Sequence, residues 1–205
     1  VKDNLKEAAG RTIRLLEQHP GETRYKALLA DIYFEDGQKE KSDSIYRQII
    51  AGSPDDIESQ LLYMMNLVYK KEYSGIAGFL NNVFESEVIE RDRKVAVAGR
   101  LATDTVYVKE NTESLAASLI LLENKYPDDD EVLSMRPGMY EAAGMKEQAV
   151  ARYEEILKNG RPGFFFKERL LILYVDNKEY RKAYDLATVY SRENNRSILG
   201  KVYYA

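Results

Sequence analysis

The chain of 205 residues offers few side chains that conventional catalysis uses. Its only histidine, His19, directly precedes Pro20, and the sequence assigns no serine or carboxylate to it as a partner. Histidine is the usual general base near neutral pH, so its scarcity argues against acid–base catalysis. A carboxylate-based hydrolase needs two acids converging in one pocket, and no spacing here indicates such a pair. We therefore predict no catalytic residue and no enzyme activity.

Two segments resemble ligand sites only superficially. The acidic run from Asp128 to Glu131 lacks the alternating ligands and the central glycine of a calcium-binding loop. Carboxylates favour helix starts, so we predict that this run caps the helix that follows it. The glycines around Pro162 are not followed by a phosphate-binding pattern and predict a turn. We expect no metal site and no cofactor.

Composition excludes further classes. Hydrophobic residues make up 44% of the chain and charged residues 31%, which is typical of a globular protein with a continuous core. No apolar run reaches the length of about 18 residues that a transmembrane helix requires. The absence of cysteine excludes disulfides, thiolate metal sites and cysteine nucleophiles. A net charge of −4, with lysine and arginine scattered among acids, argues against nucleic-acid binding.

The elements that carry these residues follow a repeat. Pro20 and Pro54 lie 34 residues apart, and each closes a stretch that is typical of two short amphipathic helices joined by a turn. In the clearest stretch, from Thr23 to Asp56, Gly37 separates the two helices. The residues predicted to face each other across this pair are Leu29, Ala30 and Tyr33 on the first helix and Ser42, Tyr46 and Ile49 on the second.

These residues resemble the tetratricopeptide repeat, in which small side chains let two helices approach and large ones fill the seam. The resemblance implies an all-α fold, a right-handed superhelical α-solenoid of antiparallel helix pairs. Pro127 follows Pro54 by 73 residues, so we place one extra turn of helix near Arg91 to Val95. The fourth unit carries Pro137 inside its first helix, where proline is expected to cause a kink.

The same register divides the chain into about five full repeats with a half-repeat at each end. We predict a trailing helix at 1–22, repeats at 23–56, 57–90, 96–129, 130–163 and 164–197, and the start of a further repeat at 198–205. Because a solenoid normally ends in a polar cap, we expect part of a longer array, with the half-repeats as caps being the alternative.

In this family, partners bind in a concave groove lined by the first helix of each pair. The resemblance places the following partner-binding residues there: Phe34, Leu61, Met65, Tyr69, Arg100, Asp104, Tyr107, Phe165, Glu168 and Ile172. Several are apolar, which favours docking of an extended peptide or a partner helix. The alternative is that the rest of the array or a neighbouring subunit covers them. The lysine and asparagine that grip chaperone tails in some members are replaced by Ala27 and Asp31, which argues against such tails.

The sequence thus predicts a non-catalytic scaffold that holds a peptide or a partner protein. The alternative is a carbohydrate- or peptidoglycan-associated envelope component in which Tyr69 and Tyr107 contact a sugar. Resemblance to bacterial arrays favours the periplasmic side of a bacterial cell envelope over the cytoplasm. The partner's identity and the oligomeric state stay open.

Overall fold

The computed structural model describes residues 2–160 and 163–193. Every regular element in these ranges is an α-helix, as predicted. The helices are α1 (Lys2–Gln18), α2 (Thr23–Glu35), α3 (Lys39–Gly52), α4 (Ile57–Lys70), α5 (Ala77–Glu85), α6 (Arg91–Thr103), α7 (Thr105–Lys125), α8 (Asp130–Ala142), α9 (Lys146–Lys158), α10 (Phe164–Asp176) and α11 (Tyr180–Glu193). The further repeat predicted at 198–205 lies outside the described residues. None of the described helices is long and apolar enough to cross a bilayer.

The chain divides into two compact units, the first ending at Val97 and the second beginning at Ala98. In the first unit, helices α1 to α5 pack in chain order, each against the next. The short connection between α2 and α3 reverses the chain at Gly37, whose φ of 80° is a conformation that glycine adopts without strain. Ala30 is fully buried against Tyr46 and Ile49, so the small side chain allows the two helices to lie close together.

The second unit repeats this arrangement. Helices α7 to α11 likewise pack against their neighbours in sequence. Helices α8 to α11 share a core that consists of Leu133, Ala149, Val150, Tyr153, Ile156, Phe166, Leu170, Leu171, Leu173, Tyr174, Ala183 and Ala187. On α9 and α10 the core residues recur every three or four positions, as expected for helices that bury one side.

A buried ion cluster joins three helices of the second unit. Glu123 on α7 accepts hydrogen bonds from Nε and Nη2 of Arg136 on α8, at 3.0 and 2.5 Å. Arg152 on α9 donates to the same carboxylate at 2.8 Å and to Glu155 at 2.6 Å. Because the Glu123 side chain is only 6% exposed, it depends on these guanidinium groups for the hydrogen bonds that water would otherwise supply.

Tyrosines of second helices repeatedly donate to carboxylates of first helices. The pairs are Tyr46 with Asp31 at 2.6 Å, Tyr153 with Glu141 at 2.9 Å and Tyr190 with Glu168 at 2.6 Å. Each pair places a polar contact at the edge of an aromatic ring whose body lies in the core. The abundance of tyrosine is thus partly explained by helix–helix packing.

The helix starts agree with much of the predicted register. Helices α2, α4, α8 and α10 begin at Thr23, Ile57, Asp130 and Phe164, which are the first residues of four predicted repeats. Asp129 caps α8 by accepting from the backbone N–H groups of Glu131 and Val132, which confirms the capping role of the acidic run. The division into repeats otherwise stays a prediction.

The third predicted unit differs from the register. Helix α6 begins at Arg91 and not near Ala96, and it ends at Thr103. Helix α7 is 21 residues long and contains a kink at Asn111, whereas α6 has 13 residues. The extra turn of helix that was expected near Arg91 to Val95 therefore lies in α7 instead. Helix α8 continues through Pro137, which is buried within it.

Candidate partner-binding surface

Two matching rows of side chains lie on α2 and α4. The spacing of four, three and four residues places each row on one side of its helix. We call these eight residues the α2–α4 strip: Arg24, Leu28, Asp31 and Glu35 on α2, and Glu58, Leu62, Met65 and Tyr69 on α4. Each residue of the second row follows its counterpart by 34 positions.

Side-chain contacts join the two rows at both ends. At one end, Arg24 Nε donates to Glu58 Oε1 at 3.2 Å. At the other end, the hydroxyl of Tyr69 donates to the carboxylate of Glu35. Because both ends are in contact, the rows run side by side over a length of about 16 Å, at about 1.5 Å per residue.

The middle of the strip is apolar and exposed. Leu28 is 46% exposed, Met65 41% and Tyr69 51%, and Leu62 is partly exposed between them. Phe34 supports Tyr69 from the side, since its ring meets the tyrosine ring edge-on with centroids 5.2 Å apart. Such a contact keeps the exposed ring of Tyr69 in place.

The Arg24 end of the strip is electrostatically balanced. Glu58 accepts from Arg24 and, at 2.6 Å, from Nη1 of Arg93 on α6. Val88 and Glu90 line a shallow cavity with these residues. Two guanidinium groups therefore face two carboxylates here.

The opposite end of the strip is acidic. Asp31 accepts from Tyr46, and Glu35 accepts from Tyr69. Within the part of the chain that the structure describes, no lysine or arginine forms an ion pair with either carboxylate. Partial burial raises the pKa of Asp31, while the hydrogen bond from Tyr46 and the charge of Lys70 lower it and the charge of Glu35 raises it again.

Nearby lysines contact an aromatic ring. The ammonium of Lys70 lies 5.0 Å from the centroid of Phe34 and is paired with Asp43. The ammonium of Lys39 lies 5.9 Å from the same centroid. Phe34 therefore attracts two cations, as expected for the face of an aromatic ring.

Three of the predicted partner-binding residues, Phe34, Met65 and Tyr69, come together at this strip. Leu61 does not, and this expectation is corrected because its side chain is 0% exposed. Leu61 lies with Met64 and Leu67 on the buried face of α4. Met65 follows Leu61 by four residues and lies about 40° further round the helix, away from Met64 and Leu67, at the edge of this face. A residue buried in this way cannot line an open surface.

Tyr107 is corrected for the same reason, because it is fully buried at the start of α7. Asp104 precedes that helix and caps it, accepting from the N–H groups of Val106 and Tyr107 at 3.0 and 3.2 Å. Neither residue lies on the first helix of its pair, since α6 ends at Thr103. Arg100 does lie on α6 and is exposed.

The last three predicted residues share one face of α10. Phe165 is 53% exposed and meets Phe166 edge-on, with centroids 5.5 Å apart. Glu168 accepts from Tyr190, and Ile172 is partly buried. Their role in binding, like that of Arg100 and of the strip, stays a prediction.

Sequence reasoning missed Leu28 and Leu62, the central apolar pair of the strip. The 34-residue spacing of the sequence could have identified them, because these two large apolar residues lie 34 positions apart. Each is also adjacent to a buried residue of its helix. Among the described residues, no group of three or more histidine, cysteine, aspartate or glutamate side chains could hold a metal ion.

No protein-family model matches the chain, and no curated protein matches it. Similar solved structures exist. PilF of Pseudomonas aeruginosa is 14% identical, with 98% of this chain and 89% of that chain covered and a TM-score of 0.55. A tetratricopeptide repeat protein from Parabacteroides merdae is 16% identical (98% and 77% covered, TM-score 0.49), and the TPR protein TTC0263 of Thermus thermophilus is 14% identical (98% and 88%, TM-score 0.38).

The overall likeness to PilF supports the helical fold, and the α2–α4 contacts between residues 34 positions apart agree with the 34-residue period of the sequence. The chain has the fold of tetratricopeptide repeat proteins, an α-solenoid of stacked helix pairs.

Proposed function

We propose that the protein is a non-catalytic scaffold that holds a peptide or a segment of a partner protein on the α2–α4 strip. The observation that carries this proposal is the continuous row of exposed apolar side chains, Leu28, Met65 and Tyr69, between two polar contacts. Exposed apolar groups aligned along helices favour docking of an extended peptide or an amphipathic helix.

The carbohydrate alternative loses part of its basis. It relied on Tyr69 and Tyr107 as aromatic platforms, and Tyr107 is buried. A sugar-binding platform would then consist of Tyr69 alone, whereas a peptide uses the whole strip. We therefore favour the protein or peptide ligand.

The proposal extends to location on the periplasmic side of a bacterial cell envelope. Its support is the resemblance to bacterial arrays, including the likeness in fold to a protein of Pseudomonas aeruginosa. Fractionation of the source cells, followed by immunodetection of the native protein, tests it. Recovery of the protein with the cytoplasmic fraction would contradict this location.

Site-specific crosslinking tests the function. A photoreactive benzoylphenylalanine is placed at Leu28 or Met65, with Gln48 on the exposed side of α3 as the control position. We expect the two strip positions to crosslink one common protein that the control position does not, identified by mass spectrometry.

The purified partner then serves in a binding titration. We expect Met65→Ala combined with Tyr69→Ala to weaken its affinity at least about tenfold, since removal of central aromatic and apolar contacts has effects of this size. Tyr180→Ala, which removes an exposed tyrosine from α11, is the matched control and keeps the affinity. Unchanged affinity of the double variant, with unchanged helical content, overturns the proposal.

A further inference from the structure

We infer that the α2–α4 strip selects a segment in which a lysine or arginine follows or precedes a large apolar residue, with the cation bound at the Asp31–Glu35 end. The inference rests on the proposed function and specifies its ligand. It depends on three features: the placement of charge along the strip, the aromatic pair beside it, and the distance between its apolar and acidic parts.

The charge placement distinguishes the two ends. Arg24 and Arg93 both pair with Glu58 and share their cavity with Glu90, so two positive charges balance two negative charges at the Arg24 end. Asp31 and Glu35 each accept only a tyrosine hydroxyl among the contacts of the described residues. A tyrosine hydroxyl adds no positive charge, and Lys70, whose charge acts on Asp31, forms its ion pair with Asp43. A cationic ligand therefore gains attraction here that a neutral or anionic ligand lacks.

The aromatic pair adds to this preference. Lys39 and Lys70 already place their ammonium groups over the ring of Phe34. Tyr69 meets Phe34 edge-on and is half exposed, so a ligand cation at Glu35 would lie beside an aromatic ring. A lysine or arginine bound there contacts both a carboxylate and an aromatic ring.

The spacing sets the ligand's pattern. Leu28 and Glu35 lie seven residues apart on α2, which is about 10 Å along the axis. An extended peptide advances about 3.3 Å per residue and covers this distance in about three residues. We therefore expect the apolar anchor and the cation of the ligand to be separated by about three residues.

Selection from a phage-displayed library of random dodecapeptides tests the inference and does not require an identified partner. The wild-type protein is the bait, and Met65→Ala combined with Tyr69→Ala is the bait for background. We expect enriched peptides to carry lysine or arginine about three residues from a large apolar residue. Enrichment without a basic bias overturns this inference and leaves the proposed function intact. No enrichment above the background bait overturns both.

A pair of matched peptides then measures how much the positive charge of the ligand contributes to binding. Two peptides differ only in carrying lysine or glutamine at the enriched basic position, and their affinities are measured by titration. We expect lysine to bind about fivefold more tightly, as exposed charge contacts contribute modestly. In Asp31→Asn combined with Glu35→Gln, the amide oxygens still accept from Tyr46 and Tyr69, and the difference should disappear. A difference that persists in this variant contradicts the assignment to these carboxylates.

Analytical ultracentrifugation of the purified protein tests whether a second copy of the chain, and not a peptide, binds to the α2–α4 strip. If the wild-type protein dimerises and Met65→Ala combined with Tyr69→Ala abolishes the dimer, the strip binds a second copy of the chain. That result would overturn the inference. A protein that stays monomeric over the same concentrations supports it.

Discussion

The hydroxyl of Tyr69 donates a hydrogen bond to the carboxylate of Glu35, a residue 34 positions earlier in the chain. Arg24 and Glu58 form the corresponding contact at the other end of the same two helices, again across 34 positions. Equivalent positions of consecutive helix pairs therefore lie beside each other. This relationship turns two single-helix patterns into one continuous surface.

Leu61 and Met65 provide a matched test of which face of α4 is buried. We expect Leu61→Ala to lower the free energy of unfolding by about 2–5 kcal/mol, because it leaves a cavity. Met65→Ala removes an exposed side chain and should change it by less than about 1 kcal/mol. Urea denaturation followed by circular dichroism measures both. Equal losses would contradict the assignment of the two residues to opposite environments.

Ala30 tests the close packing of α2 on α3. Its side chain is fully buried, so Ala30→Leu should overfill the seam and cost about 1–3 kcal/mol. Ala51→Leu at an exposed position of α3 adds the same atoms and should stay within about 0.5 kcal/mol of the wild type. The two midpoints in urea report the difference. Tolerance of leucine at position 30 would show that the helices have room between them.

Glu123 tests the ion cluster of the second unit. Glu123→Ala leaves the guanidinium groups of Arg136 and Arg152 without their shared carboxylate, and we expect a loss of about 3–5 kcal/mol. The control is Glu147→Ala, which removes an exposed carboxylate from α9 and should change stability by no more than about 0.5 kcal/mol. Similar thermal midpoints for the two variants would indicate that the cluster does not stabilise the fold.

The raised pKa of Tyr153 leads us to expect a lower free energy of unfolding in alkaline solution. Burial raises its pKa, the charge and hydrogen bond of Glu141 raise it further, and Arg169 lowers it. In the unfolded chain, tyrosine ionises near a pKa of about 10. Above this pH the folded state keeps a proton that the unfolded state has lost, so the free energy of unfolding falls as the pH rises.

The variant Tyr153→Phe cannot ionise at this position. We expect its free energy of unfolding to fall less steeply between about pH 9 and 11, by at most about 1.4 kcal/mol per pH unit. Urea denaturation at several pH values gives the slope. A slope equal to that of the wild type would exclude a contribution from Tyr153.

The sequence by itself determined the helix pairs and many of their starts. The spacing of Ala30, Tyr46 and Ile49 predicted a packed seam, and these residues are buried together. The acidic run before α8 predicted a cap, and Asp129 forms it. Such features depend on short-range periodicity and on hydrogen bonds to the adjacent backbone, so they are encoded locally.

Only the tertiary structure decided which of these residues form a surface. Leu61 and Met65 are both large and apolar, and which one is exposed depends on the faces that α4 presents to its neighbours. Because α6 ends at Thr103, Asp104 and Tyr107 lie outside that helix. Among the described residues, Asp31 and Glu35 form no ion pair, because Lys70 and Arg93 pair with other carboxylates. Periodicity specifies one helix at a time, whereas burial and ion pairing depend on side chains that packing brings together from distant positions.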